Sequence, residues 1–336
     1  MAKIVLGIGT SHTPMLTLES GDWEHRAAAD YRNPTLNLSD GRWLSYEQLL
    51  TEVGPRYEEV ANAAELARRA DICERSLDRL SATLRSVAPD VVLIVGDDQE
   101  ELFSPANNPA VSVFYGAQIM TNDKYGRPEM PEWMHTVSRG YGMDRVHVFP
   151  GAPDFARELI VGLIEHNIDV AACARVDQPQ TNGFGHAFGF VIKRLFAATS
   201  IPVVPILLNT YYPPNVPTAA RCHDIGRALR EVIEASPGQA RVAIVASGGL
   251  SHFVVDEQLD RRVLEGFEPG KEWLLRSIPR AALNSGSSEI LNWILMAGAL
   301  GGLPLEWLEY QPIYRTPAGT GVGVAFGSWR EGVGQS

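Results

Sequence analysis

Cysteine is scarce in this chain: Cys73, Cys173 and Cys222 stand far apart in 336 residues, with no paired spacing. That excludes a disulfide scaffold and a cysteine zinc knuckle, and it fits a reducing cytoplasm. Long apolar runs are missing as well. No stretch reaches the length needed to span a bilayer, and residues 1–10 carry neither a basic leader region nor a small-residue cleavage site. Positive charge is short too. A net charge of −11 argues against a nucleic-acid partner, which needs a basic face to neutralise phosphates. There is no Walker loop, internal repeat or low-complexity linker, and Gly7-Ile8-Gly9 lacks the third glycine of a dinucleotide fingerprint. What remains is a globular chain, 45% apolar and 21% charged, whose expected partner is a small molecule.

The periodicity predicts alternating strands and helices. Lys3 to Ile8 reads as a buried strand, Gly7 and Gly9 as residues that let the chain turn sharply, and Pro14 as a brace just beyond. Strands are expected again over Asp90–Val95, Val111–Tyr115, Asp169–Val176, Ile201–Leu208 and Arg241–Ala246. Two more are expected around Pro317-Ala318-Gly319, between about Ile313 and Trp329. Helices are expected over 58–87, Phe155–His166, after Asn182–His186 to about Ala198, over Thr218–Ala235, within 256–284 and over Ser288–Leu300. Residues 118–146, with Pro128 and Pro131, read as loop. The whole, residues 1–336, reads as one α/β domain. Its central sheet is mostly parallel or mixed, helices flank it, and functional groups sit at the strand C-terminal ends. Residues 17–57 read as an inserted segment whose Trp23, Tyr31 and Trp43 favour a lid near a pocket, with satellite surface packing nearly as favoured.

Four strand-end or helix-start positions carry polar chemistry: His12, the cluster from Asp97 to Glu101, His186 and His252. A lone histidine such as His12 is more often a capping or core residue than a ligand, and an acidic run is most often a solvated turn. Glu289 opens a very apolar helix, where spacing alone favours a capping acid over a ligand. Arg315 reads either as a planar fork for a substrate carboxylate or as half of a structural salt bridge. Tyr211 and Tyr212 read as pocket lining or as packing before two prolines. Thr13, Tyr212, Arg315 and Thr320 are the substrate-contact candidates.

Taken together and in order, four blocks resemble the class III extradiol ring-cleavage dioxygenases. They are Gly9-Thr-Ser-His-Thr-Pro, Val91-Val-Leu-Ile-Val-Gly-Asp-Asp-Gln, Ser247-Gly-Gly-Leu-Ser-His and Ser288-Glu-Ile-Leu-Asn-Trp-Ile-Leu-Met. The likeness is to the β subunit of protocatechuate 4,5-dioxygenase. The 17–57 segment, with Ala29-Asp-Tyr-Arg-Asn-Pro, and the Gly-Asp-Asp-Gln motif draw it toward the 3-O-methylgallate 3,4-dioxygenase branch. The resemblance implies an Fe(II) enzyme that uses O2 to open a catecholic or gallate-like aromatic acid, working as a cytoplasmic homodimer.

Carried onto this chain, the resemblance makes His12 a metal ligand, Glu289 the carboxylate ligand, His252 the acid–base histidine and His186 a further pocket histidine. The family's Asn-Asp-His stands here as Asp97-Asp98-Gln99, which puts Gln99 at the second histidine's ligand position. Three outcomes stay open: Gln99 coordinates, Asp97 or Asp98 replaces it, or a histidine from elsewhere moves in. Two rivals accompany the dioxygenase expectation. One is a scaffold of the same fold with little or no metal, and the other is a hydrolase holding a divalent ion through Asp97 and Asp98.

Overall fold

A computed structural model describes residues 1–123, 129–197 and 199–332. In chain order the first elements are β1 (Lys3–Thr10), α1 (Glu24–Asp30), β2 (Leu36–Asn37), β3 (Trp43–Leu44), α2 (Tyr46–Val53) and α3 (Ala63–Val87). There follow β4 (Val91–Asp97), β5 (Val111–Phe114), β6 (Gln118–Met120), α4 (Glu132–Gly140), β7 (Val148–Pro150), α5 (Pro153–Glu165) and β8 (Ala171–Cys173). After these come α6 (His186–Leu195), β9 (Val203–Leu208), α7 (Ala219–Ala235), β10 (Arg241–Ser247) and β11 (His252–Val254). The chain ends with α8 (Glu257–Glu265), α9 (Glu272–Arg276), α10 (Ile290–Leu300), β12 (Leu305–Tyr314) and β13 (Thr320–Trp329).

Among the described residues, nine strands form one mixed sheet, ordered β11-β13-β1-β10-β4-β9-β5-β8, with β12 also paired to β13. Its centre is four parallel neighbours, β1, β10, β4 and β9, so their C-terminal ends open onto the same edge. These strands are buried on both faces, and alternate residues serve different layers. Val91, Leu93 and Val95 of β4 pack with α5, α7 and α10, whereas Val92 and Ile94 pack with α3 and α6. Helix α10 is apolar all round and almost wholly buried, as a helix covered by its neighbours must be. Burying one of its large side chains contributes roughly 1.5–3 kcal/mol.

Gly7 and Gly9 do not turn the chain. Both lie inside β1, where a Cβ on Gly7 would meet Leu300 Cδ2 at 2.3 Å and one on Gly9 would meet Trp293 Cζ3 at 2.2 Å. Their role is to let α10 lie directly on the sheet. Other elements also depart from the local pattern. Residues 118–146 contain β6 and α4, although Pro128 lies outside the described residues. Strand β8 shrinks to three residues, and β12 starts at Leu305 because its length is set by pairing along β13. Helix α6 ends at Leu195, and Ala198 is outside the described residues.

Segment 17–57 is folded and tied down. Trp23 is buried, its indole N–H donating to Met15 O at 2.7 Å, whereas Trp43 is 52% exposed and faces away from the interior. Leu36, Tyr46 and Leu49 cluster with Ala318, and Phe253 and Val254 of β11 pack on them. A buried ion pair anchors α1. Asp30 receives Arg315 Nε at 2.7 Å and Nη2 at 3.1 Å, and Thr320 Oγ1 donates to it at 2.8 Å.

Two stability outcomes follow from these contacts. Gly9→Ala should cost about 1–3 kcal/mol by forcing Trp293 off the sheet. Gly21→Ala, with open space around it, should stay within about 0.5 kcal/mol of the parent in urea unfolding. Asp30→Ala leaves Arg315 buried and uncompensated and should cost about 3–5 kcal/mol. Adding Arg315→Met should recover much of that loss. An Asp30→Ala melt identical to the parent's would show that the pair anchors nothing.

Candidate active site

The C-terminal edge of the four parallel strands gathers the polar blocks. Thr10 is paired with Ser247 and Asp97 with Leu208, so the residues after each strand meet above the sheet. His12, His186 and Glu289 are all buried, and one ligand atom from each lies within 4.8 Å of the other two. The rings of His12 and His186 meet edge to face with centroids 4.7 Å apart.

The hydrogen bonds assign the protons. Ser247 Oγ donates its one hydrogen to Ala187 O at 2.6 Å, so toward His12 Nδ1, 2.8 Å away, it accepts. His12 therefore carries its proton on Nδ1. Its Nε2 lone pair is buried, has no hydrogen-bond partner among the described residues, and lies 3.5 Å from Glu289 Oε2. His186 Nδ1 faces Glu101 Oε1 at 3.4 Å, a carboxylate behind the imidazole that leaves Nε2 for the pocket. Burial disfavours the charged form of His186, but the hydrogen bond and charge of Glu101 outweigh it and raise its pKa.

Glu289 holds the N-cap position of α10, yet its side chain makes no capping bond. It turns instead toward the strand edge, where Gly249 N–H donates to Oε2 at 2.7 Å and His252 Nε2 lies 3.6 Å away. Burial alone would raise its pKa, but positive charge on protonated His252 and His12 and the Gly249 N–H bring it down to about 2, the imidazoles' share passing to a cation when they are neutral. The carboxylate is therefore ionised. A lone pair of His12 facing that anion in a buried pocket suits a cation between them, and two imidazoles with one carboxylate form a donor set suited to a divalent transition metal. The residues present fit such an ion.

His252 sits at the rim. Its Nδ1 donates to Leu250 O at 2.9 Å, which leaves Nε2 to accept a proton. The ring fills space that only glycines leave, since a Cβ on Gly249 would meet Cε1 at 2.4 Å and one on Gly286 would meet Cγ at 2.5 Å. Phe253, next in the chain, is held at φ 64°, a strained value for a bulky residue. Asp260 anchors this loop by accepting the Ser251 N–H, the Ser251 hydroxyl and the Tyr310 hydroxyl, and burial raises its pKa to about 7.

The remaining sequence candidates separate. Asp97 is buried at the end of β4, with Oδ1 unpartnered and Oδ2 accepting from Gln99 Nε2 at 3.0 Å. Its pKa is raised by burial and then by Glu289. Gln99 Nε2 also lies 3.5 Å from His186 Nε2. Asp98 accepts the N–H groups of Leu102 and Phe103, one on each oxygen, and so closes the turn after β4. Arg315 stands in the salt-bridge arrangement: its guanidinium fork is filled by Asp30, which also takes the Thr320 hydroxyl. Thr13 is buried at the start of a 3-10 turn. Of the two tyrosines, Tyr211 feels the site more directly. Burial and then Glu289 and Asp97 raise its pKa, whereas Tyr212, raised to about 12 by burial, senses Glu100 and Glu101 first.

Sequence patterns gave no sign of Ser247 as the partner of His12, nor of Glu101 behind His186. Tyr141 was equally hidden: its hydroxyl donates to His12 O at 2.7 Å, and it lies in the stretch read as loop. Each acts from more than 80 residues away along the chain.

Residues 64–325 match the family described as the catalytic LigB subunit of aromatic ring-opening dioxygenase. The chain is 33% identical to a gallate dioxygenase of Pseudomonas putida over 134 residues, which is 37% of this chain and 39% of that protein. It is 24% identical over 185 residues to a 2,3-dihydroxyphenylpropionate/2,3-dihydroxicinnamic acid 1,2-dioxygenase of Comamonas testosteroni, covering 53% of this chain and 48% of that protein. The chain thus spans less than half the length of either relative. With the family match extending over most of its length, the chain belongs to the family of the catalytic LigB subunit of aromatic ring-opening dioxygenases.

Proposed function

We propose that this chain, acting as one catalytic unit, is an Fe(II)-dependent extradiol dioxygenase that opens a catecholic or gallate-like aromatic acid with O2. The observation that carries it is the buried, unpartnered His12 Nε2 facing the ionised Glu289, in a chain whose family opens aromatic rings. The names of the gallate and dihydroxyphenylpropionate relatives support a substrate with adjacent ring hydroxyls. Iron bound here would supply a Lewis-acidic, redox-active centre with open positions, which suits oxygen chemistry on such a ring.

The chain's own groups do the rest. His12 and Glu289 hold the ion, with His186 beside them. His252 Nε2, at the rim with its other nitrogen committed to Leu250 O, takes a proton from a ring hydroxyl and later returns one. Holding substrate and oxidant in one pocket removes much of the entropic barrier, roughly 7–11 kcal/mol in favourable cases. The 17–57 segment, packed on β11 beside His252, forms one wall of the entrance and keeps water from the ring. Three free cysteines, two of them buried, suit a reducing cytoplasm, and a homodimer is the assembly we assign.

Anaerobic loading with Fe(II) followed by a gallate and catechol panel should give oxygen uptake and a new ultraviolet- or visible-absorbing ring-opened product. No uptake on any catechol with iron bound would sink the proposal. His252→Ala should lower turnover by about 10²–10⁴-fold while iron stays bound. His12→Ala and Glu289→Ala should empty the site. Equal iron loss in all three variants would refute the separate role of His252.

A further inference from the structure

We infer that His186 supplies the second imidazole of the metal site, and that Gln99 serves as an amide donor to Asp97 rather than as a ligand. The inference rests on the proposed function for the nature of the ion, and on side-chain geometry for the choice of ligand.

Three features converge on His186. It contributes a ligand atom within 4.8 Å of those of His12 and Glu289. Glu101 lies behind it at 3.4 Å from Nδ1, an outer carboxylate that fixes the tautomer and turns the Nε2 lone pair inward. The backbone is also built for this pair: a Cβ on Gly185 would meet Glu101 Cδ at 2.5 Å, so the glycine before His186 gives the carboxylate its place. His186 begins α6, and its position is further held by contact with the rings of His12 and Tyr141.

Gln99 presents its amide nitrogen to the pocket. Its Nε2 donates to Asp97 Oδ2 at 3.0 Å, and the same nitrogen stands 3.5 Å from His186 Nε2, which as a lone pair can only accept. An amide nitrogen carrying both hydrogens does not coordinate a cation. An entering ion therefore takes the His186 lone pair from the Gln99 amide, which keeps its bond to Asp97. Gln99 is a positioning residue for Asp97, whose partnerless Oδ1 is buried under the influence of Glu289, His12 and His186.

The test uses the full chain loaded with Co(II) under argon, with X-ray absorption counting imidazoles and calorimetry giving affinity. The parent should show two imidazoles. His186→Ala should show one, with binding weakened by more than the roughly 10–100-fold that loss of an outer partner costs. Gln99→Ala should keep both imidazoles and bind within a few-fold of the parent. Glu101→Gln, which preserves shape if His186→Ala fails to fold, should weaken binding by about 10–100-fold. Two imidazoles persisting in His186→Ala, an emptied site in Gln99→Ala, or unchanged affinity in Glu101→Gln would each overturn the assignment. Metal held through His186 with no oxygen uptake on any catechol would support the assignment and overturn ring cleavage alone.

Discussion

The hydroxyl of Ser247 is the joint on which the site depends. It sits at the end of β10, gives its hydrogen to Ala187 in the first turn of α6, and accepts the Nδ1 hydrogen of His12 just past β1. Because a carbonyl can only accept, the direction of the whole chain of bonds is set. His12 is thereby left with a bare Nε2 in a buried pocket, facing Glu289. Three elements must hold their spacing for this to work, so the tautomer of one imidazole is fixed by how helix and sheet pack.

That packing runs through α10. Gly7 and Gly9 leave room for Leu300 and Trp293 to lie on β1, and the helix reaches the site from its other residues. Asn292 Nδ2 donates to Ser247 O and Trp293 Nε1 to Gly248 O, each at 2.8 Å. A helix apolar enough to be buried on every side thus spends its two polar side chains on the loop that carries Gly249 and His252. The core contact and the position of Glu289, one residue before the helix, are one construction.

Buried acids divide by what surrounds them. Glu289, met by imidazoles and a backbone N–H, falls to about 2, whereas burial raises Asp98 and Asp260 to about 7. Asp98 and Asp260 pin turns that present Gln99 and His252. Asp98 follows a strand and Asp260 lies in the charged helix α8, where a composition-based reading would place both in solvent, and their role is visible only from the N–H and hydroxyl groups they accept.

Much of the frame was legible along the chain. The apolar runs of β4, β9 and β10 and the helical periods of α5, α7 and α10 are local patterns, and each stands where the pattern put it. Elements whose existence depends on a distant partner were not legible: β6 and α4 in a Pro- and Gly-containing stretch, the early start of β12, and the three-residue β11. The glycines of β1 show the same limit, since a glycine needed for a turn and one needed under a tryptophan look alike in sequence. By itself the sequence determined which chemical groups stand at the strand ends, His12, Asp97 and His252, and at the start of an apolar helix, Glu289, because residue type and local period travel with the chain. Only the tertiary structure decided that His186 joins His12 and Glu289, that Gln99 turns its amide nitrogen toward Asp97, and that Arg315 is spent on Asp30. Those choices rest on distances between residues as much as 285 positions apart, which are set by strand order and helix packing.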